Sequence, residues 1–573
     1  MDKRVLLMTG ISTVLVLVWI LVFKPLDKKP EVAPQQQTAS TTTANPTTAQ
    51  AANQPAATTA AGGATADKQA GPPAPLVEKP KAVVDTFEQP GKYRASMTSE
   101  GAAPEHFLLL DKQYKEDHPK QSNKTAEPID LVRTRAPNLP LVITFPSSPF
   151  SLPPDAVWTE LPRTDPAVLT YAWEDAKVRV EKRFEQVPGT YSIKLVVTVE
   201  NKTDKALTQY LALQLHGWQD PNIKPGGMFS KRVNQTSGVC YVGGKVKRGS
   251  FDDLLKKGTD ELGDVRWVSI AEQYFLTALA VKKTDVPNRC NVFAAPDGSM
   301  SAVLTMGART VEPKQKTQYE AVAFLGPKIL SQLDAVTVGG ESARLGDVLE
   351  YGLWGATEWL SRPMLAVLKG IHYVVRNWGL AIIVLTMLIK AVTWFPTQSS
   401  MKSMKSMAKL KPEMDKLRER FGADKNQLNL AMMELYKKHG VNPLGGCLPI
   451  LIQMPVYIAL YSMLGNSVEL YRSPFVGWIR DLTAADPYFV LPVLTGLLMF
   501  VQQKTQPTPP DPQQKTMMYL MPVMFTAFSI FLPAGLTIYI LTNTILTFLQ
   551  QWWMNRHDKP AKPKAMVTKP ARA

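Results

Sequence analysis

A lysine inside an apolar segment is the first residue that could carry chemistry. Lys390 lies twelve residues after Trp378 and five before Phe395, in a run that is otherwise largely apolar. Thr386, Lys390 and Thr393 are spaced i, i+4 and i+7, which places them on one face of a helix. A charge at membrane depth is costly and indicates either a functional group or a side chain that reaches the interface. The sequence leaves both interpretations open.

Polar residues recur at helical spacing in two further apolar segments. Gln453 and Tyr457 lie one turn apart, and Tyr539, Asn543 and Thr547 follow one another at single turns. A stripe of this kind is typical of hydrogen bonding between membrane helices. Together with the lysine, these residues could instead line a hydrated groove within the bilayer.

The sequence contains no pattern typical of catalysis. No two of the six histidines have the spacing of metal ligands. Phosphate-binding glycine loops, nucleophile elbows and zinc-protease helices are absent. The apolar segments contain no Asp or Glu, which argues against an intramembrane aspartyl protease or a carboxylate proton relay. We therefore expect no enzyme activity, no cofactor and no metal site.

The three cysteines exclude a disulfide framework. Cys240 and Cys290 lie in one predicted domain and could pair if it faces an oxidising compartment, or could stay reduced. Cys447 opens an apolar run and is interpreted as a small packing residue.

A basic, methionine-rich stretch follows the segment that contains the lysine. Met401, Met404 and Met407 recur at every third position and alternate with Lys402 and Lys405. Flexible methionines beside positive charge suit varied apolar peptides or anionic headgroups. The alternative is a helix that packs within its own hairpin.

A helical hairpin is predicted over 398–441, with a turn at 422–425 and an end at Gly440. Its apolar residues follow a coiled-coil spacing and comprise Met407, Leu410, Met414, Leu417 and Phe421 on one helix and Leu428, Met432 and Leu435 on the other. Self-packing of this seam is the favoured interpretation for these residues.

The N-terminal part of the chain predicts an anchor, a linker and a β domain. Residues 1–23 contain an apolar run preceded by Lys3 and Arg4, which indicates an uncleaved signal anchor with its N-terminus in the cytoplasm. Residues 24–80 have the composition of a disordered linker. Short strands separated by turn residues over 81–345 predict a large all-β sandwich outside the membrane. An interfacial amphipathic helix is expected over 346–377.

Five further apolar spans lie within the predicted core at 378–553, and with the anchor they make six. They cover 378–395, 444–464, 488–501, 517–532 and 536–553. The loop 398–441 holds ten Lys and Arg, whereas the loop 465–487 holds two. This bias places the hairpin and the basic tail at 554–573 in the cytoplasm. Two spans are short for a bilayer, so local thinning is plausible.

Three stretches then establish a family resemblance. NPLGGCLP at 442–449, QMP at 453–455 and FLPAGL at 531–536 closely resemble, in order and spacing, the conserved stretches of YidC-type membrane protein insertases. The anchor and β domain resemble the Gram-negative form of that family. The resemblance implies a multi-pass protein of the bacterial inner membrane, with the β domain in the periplasm.

The resemblance also implies a function and partners. Family members insert and help to fold newly made membrane proteins, alone or with the Sec translocon, without nucleotide hydrolysis. Their hydrophilic groove opens to the cytoplasm and the lipid, and their hairpin and basic tail approach the ribosome and the targeting machinery. The family typically carries Arg in the groove where this sequence has Lys390, which keeps the charge but loses the bidentate fork.

Two other functions stay open from the residues alone, namely a small-solute secondary transporter and a membrane-tethered periplasmic binding module. A transporter would usually show repeated halves, and no internal repeat is visible. The net charge of +16 initially admits nucleic-acid or lipid binding. This charge is concentrated in the predicted cytoplasmic segments, so it is mainly a topology signal and forms a surface for lipid or the ribosome. We expect no specific nucleic-acid sequence as a partner.

Overall fold

The computed structural model describes residues 82–115, 127–153, 156–222, 235–350, 357–422, 424–441, 448–505 and 512–557. The predicted anchor and linker lie outside the described residues, as do Cys447 and the tail beyond residue 557.

Antiparallel strands dominate the described residues before position 343. They are β1 Val84–Gln89, β2 Tyr93–Thr98, β3 Ala103–Leu109, β4 Ile143–Thr144, β5 Thr159–Glu160, β6 Val168–Glu174, β7 Val178–Gln186, β8 Ser192–Asn201, β9 Leu207–Gln209, β10 Ala212–Trp218, β11 Ser237–Val242, β12 Lys245–Ser250, β13 Thr259–Gly263, β14 Val265–Ala271, β15 Phe275–Val281, β16 Asn288–Ala294, β17 Ser299–Thr305, β18 Arg309–Val311, β19 Lys316–Pro327, β20 Thr337–Val338 and β21 Glu341–Ser342. We call this part of the chain the β domain.

Two large sheets form the body of the β domain. One has nine strands in the order β12-β11-β14-β15-β19-β8-β7-β6-β5, and the other has five in the order β13-β16-β17-β10-β4. Cys240 in the first sheet and Cys290 in the second are joined by a disulfide, with their Cα atoms 6.3 Å apart. A side chain at Gly238 would collide with Val292 of the opposite sheet. The two sheets therefore pack face to face, as in a sandwich.

Strand β7 shows how alternation builds this core. Val178, Val180, Lys182 and Phe184 occupy successive inward positions and are fully buried. The Lys182 ammonium donates to the carbonyls of Ala102 at 2.7 Å and of two further residues, Gly101 at 3.2 Å and Leu141 at 2.5 Å. Burial holds the pKa of Lys182 well below its usual range. The lysine thus fixes two loops against the sheet.

Helices make up most of the chain after position 357. They are α3 Glu358–Val375, α4 Trp378–Lys409, α5 Lys411–Phe421, α6 Lys425–His439, α7 Leu448–Asn466, α8 Val490–Thr505, α9 Pro512–Ser529 and α10 Ala534–His557, and two short helices, α1 Phe251–Lys256 and α2 Leu330–Asp334, belong to the β domain.

The structure corrects two helix predictions. The interfacial helix expected over 346–377 begins only at Glu358, because Leu345–Val348 forms a 3-10 turn and Leu349 is extended. The first hairpin helix is broken at Leu410, and α5 starts with Pro412 in its first turn. Proline lacks an N–H and fits a first turn, so it separates α4 from α5.

Among the described residues, one helix is long and apolar enough to cross a membrane, over Trp378–Met407. Shorter apolar helices lie at Val490–Lys504 and Met518–Ser529. The six spans expected from the sequence therefore stay a prediction.

The β domain holds the segment that follows α7. Gln113 Nε2 lies 2.7 Å from the carbonyl oxygen of Tyr471 and 3.1 Å from that of Glu469. The Tyr471 ring packs against Tyr274, with centroids 4.9 Å apart, and edge-on against Phe275 at 5.6 Å. This contact joins residues more than 190 positions apart, so it fixes the end of α7 relative to the β domain.

Candidate functional site

Lys390 lies in the middle of α4 and points into the helical part of the molecule. Its side chain is 7% exposed, and its Nζ donates to Thr547 Oγ1 of α10 at 2.8 Å. The Thr547 hydroxyl donates in turn to the Asn543 carbonyl at 2.6 Å. The lysine is thus anchored on a neighbouring helix, which differs from a side chain that extends freely to the interface.

Two amide-to-phenol contacts join α7 to α10. The Gln453 amide donates to the Tyr539 hydroxyl, and Asn543 Nδ2 lies 3.4 Å from the Tyr457 hydroxyl. The rings of Tyr457 and Tyr539 meet edge to face, with centroids 5.4 Å apart. These four residues, with Lys390 and Thr547, form a continuous set of contacts across three helices, which we call the polar cluster.

The two threonines predicted beside Lys390 have a different role. The Thr386 hydroxyl donates to the Ile382 carbonyl at 2.7 Å, and the Thr393 hydroxyl donates to the Ile389 carbonyl at 2.9 Å. Both hydroxyl protons are therefore used within α4, as is common for threonine in apolar helices. Neither threonine joins the contacts that define the polar cluster.

Gln550 extends the polar surface of α10 by one turn beyond Thr547. It is buried, its Nε2 lies 3.4 Å from the Trp394 carbonyl, and its Oε1 has no hydrogen-bond partner within the described structure. The helical spacing of α10 reveals this residue in the sequence, but the spacing does not show that the side chain is buried.

The chemistry available at the polar cluster is binding. It offers amide and hydroxyl groups and one ammonium, which suit polar backbone and acidic side chains. Among the described residues, no group of three or more His, Cys, Asp or Glu could hold a metal ion.

The hairpin packs on itself through part of the predicted seam. Leu410, Met414 and Leu435 are buried together, with Leu417 and Met432 packed against them. The returning helix α6 is capped by Asp424, whose side chain accepts from two backbone N–H groups, and it ends at Gly440 with φ of 61°. The predicted turn and end of the hairpin are confirmed at these positions.

Within the methionine surface predicted from the sequence, Met401 differs from the other two methionines in its exposure. This side chain is buried, whereas Met404, Met407 and Lys405 are half-buried and Lys402 is exposed. Because α4 continues unbroken to Lys409, Met401 falls eleven residues after Lys390 and on the same inward face. Among the described residues of the hairpin, the exposed large apolar side chains are instead Leu430 and Met433 of α6.

The fold and site define a protein with a large β domain and a helical part that carries a buried polar cluster and one helix long and apolar enough to cross a membrane. Two family models match the chain: "60Kd inner membrane protein" over residues 370–562 and "YidC periplasmic domain" over residues 90–367.

Relatives show which family this is. The membrane protein insertase YidC of Syntrophus aciditrophicus is 34% identical over 571 residues, 97% of this chain and 100% of the relative. The YidC of Nitrosococcus oceani is 35% identical over 77% of this chain and 80% of the relative. A crystal structure of an active YidC insertase aligns at a TM-score of 0.34 and 16% identity, covering 83% of this chain and 93% of that one. The chain belongs to the YidC family of inner-membrane protein insertases, and its β domain is the family's periplasmic domain.

Proposed function

We propose that the polar cluster is the surface over which this insertase receives the hydrophilic part of an entering membrane protein. The observation that carries the proposal is the buried ammonium of Lys390, held by Thr547 within a helix long enough to cross the membrane. Gln453 and Asn543 supply further polar groups on the two neighbouring helices. The other two functions considered, solute transport and a tethered binding module, have no support from the relatives.

The energetics favour an acidic guest beside Lys390. An ammonium has three N–H donors, and within the described structure one of them is used, by Thr547. A buried cation is stabilised only when its remaining donors find acceptors. A carboxylate in a crossing segment would satisfy them, and the adjoining apolar segment would then move sideways into lipid because its burial there is favourable.

The membrane arrangement supported by the charge bias is six spans with both termini in the cytoplasm of a Gram-negative cell. The hairpin and basic tail would then lie on the side from which new chains arrive. In this arrangement the N-terminal signal anchor is the first of the six spans.

The cytoplasmic contacts rest on the hairpin. Met404, Met407, Lys402 and Lys405 leave apolar and basic surface at least partly accessible, which suits a nascent chain or the ribosome. Buried Met401 is excluded from that surface. The Sec translocon and the targeting machinery are further partners in this proposal. The hairpin and the basic tail provide the contact surface, which would also face anionic lipids.

Insertion into proteoliposomes tests the electrostatic role directly. The comparison sets the unchanged protein against Lys390→Ala, Lys390→Arg and Lys390→Glu, with a substrate whose N-terminal segment is acidic. We expect Lys390→Arg to insert it nearly as well as the unchanged protein, and Lys390→Glu to be at least about tenfold slower, equivalent to roughly 1.4 kcal/mol. The alanine variant should lie between them.

Two controls isolate charge from folding. Lys504→Ala removes an exposed lysine at the end of α8 and should insert normally. A second substrate with its acidic residues changed to amides should reduce the difference among the Lys390 variants. Equal insertion of the acidic substrate by all four proteins would show that the charge of Lys390 has no part in the process.

A further inference from the structure

A cavity of about 440 Å³ lies where the β domain meets the end of α7. Gln273 Nε2 donates to the Gly465 carbonyl at 2.6 Å, and Asn466 Nδ2 donates to the Glu350 carbonyl at 2.9 Å. Gln273, Asn466 and Glu350 also line the cavity. A molecule inside it would therefore contact both parts of the chain, at a volume suited to a small ligand.

Lys328 lines this cavity from a largely buried position. Lys328 is 7% exposed and follows strand β19, where its backbone N–H donates to the Tyr274 carbonyl at 2.9 Å. Its ammonium makes no hydrogen bond to any residue that the structure describes. The ammonium is not one of the fully buried atoms that lack a partner, so it faces the open space of the cavity, where a guest molecule could accept from it.

The charges that face Lys328 largely neutralise one another. Arg248 donates to the Glu350 carboxylate at 2.9 Å, and Glu272 pairs with Arg133 at 3.4 Å. Arg248 also donates through Nη1 to the Ser237 hydroxyl at 2.9 Å and through Nη2 to the Val348 carbonyl at 2.7 Å, so each of its three nitrogens makes a hydrogen bond. A further carboxylate, Asp252 of α1, lies at the exposed rim.

The remaining lining suits a polar guest. Gln219, Thr236 and Ser237 contribute amide and hydroxyl groups, and Phe251 and Leu349 contribute apolar surface. After these ion pairs, the charged groups left in the lining are the buried Lys328 ammonium and the Asp252 carboxylate at the exposed rim. A negatively charged oxygen is the acceptor that such an ammonium binds most strongly.

We propose that this cavity is a binding site for a phosphate-type oxyanion, carried either by a free anion or by a lipid headgroup, with Lys328 as its direct contact. The site is separate from the polar cluster and does not depend on the mechanism of insertion.

The protonation of Lys328 provides an independent readout. Burial, the dominant cause, and the positive charge of Arg248 lower the pKa of Lys328 to about 7, while Glu350 and Glu272 oppose this shift. The charged fraction then falls from about 0.9 at pH 6 to about 0.1 at pH 8. An oxyanion should bind about tenfold more tightly at pH 6 than at pH 8, and its binding at pH 8 should take up a proton.

Calorimetric titration of the full-length protein in detergent tests the site. The probes are sulfate, whose charge is constant between pH 6 and 8, inorganic phosphate, and a short-chain phosphatidylglycerol. Lys328→Met should weaken binding at pH 6 by at least about tenfold, Lys328→Arg should restore most of it, and Lys256→Met, which removes an exposed lysine of α1, should leave it unchanged.

The outcomes separate the possibilities. Binding of all three probes supports a site for free anions, whereas binding of phosphatidylglycerol alone supports a headgroup site, provided that either is lost in Lys328→Met. Absence of binding by every probe at millimolar concentration overturns the proposal. Equal affinities at pH 6 and pH 8 for the unchanged protein also overturn it, and this measurement does not depend on the folding of any variant.

Discussion

The hydrogen bond between Gln453 and Tyr539 offers the sharpest test of the polar cluster. Tyr539→Phe removes only the hydroxyl that accepts from the Gln453 amide, and it keeps the ring that packs against Tyr457. Hydrogen bonds between membrane helices contribute about 0.6 kcal/mol on average and about 1.7 kcal/mol at most. Because Tyr539 is only 1% exposed, water competes poorly for this bond, and we expect a coupling of about 1 kcal/mol.

A double-mutant cycle measures that coupling. The free energy of unfolding in detergent mixtures is determined for the unchanged protein, Tyr539→Phe, Gln453→Leu and the double variant, with helical circular dichroism as the signal. The pair Asn543 and Tyr457 is the matched comparison, because its 3.4 Å contact should give a smaller coupling. A Gln453–Tyr539 coupling within about 0.3 kcal/mol of zero would refute the interpretation that the two helices are joined here.

Two further predictions concern the β domain. Lys182→Ala should lower the free energy of unfolding by about 3–5 kcal/mol, because it leaves a cavity and three carbonyls without a donor. Lys182→Met should lower it by less, because the methionine side chain fills the volume. A urea titration in which the alanine variant is as stable as the unchanged protein would contradict this prediction. Gln113→Ala should accelerate amide hydrogen exchange of residues 468–473, since three carbonyl contacts are lost. Lys112→Ala, which changes the exposed neighbouring residue, should leave this exchange unchanged. Unchanged exchange in Gln113→Ala would show that the contact does not hold this segment.

The sequence predicts best the contacts whose pattern lies within a single helix, strand or hairpin. Met414 and Leu435 were identified from helical spacing, and the structure buries them together in the hairpin. Lys182 continues the inward positions of Val178 and Val180, so strict alternation along this strand alone places a lysine in the core. Met401 is buried because α4 runs past the predicted end of the span at residue 395 as far as Lys409, which places Met401 on the inward face of this helix.

The sequence by itself determined the family, the β-rich domain and the presence of a lysine within an apolar segment among polar stripes, because spacing and apolar runs are local properties. Only the tertiary structure decided which stripes meet. It joined Lys390 to Thr547 across 157 positions and left Thr386 and Thr393 to their own helix. It also paired Cys240 with Cys290 and buried Lys328 beside a cavity. These outcomes depend on how distant segments pack, and helical or strand periodicity carries no information about the partner that a side chain finds there.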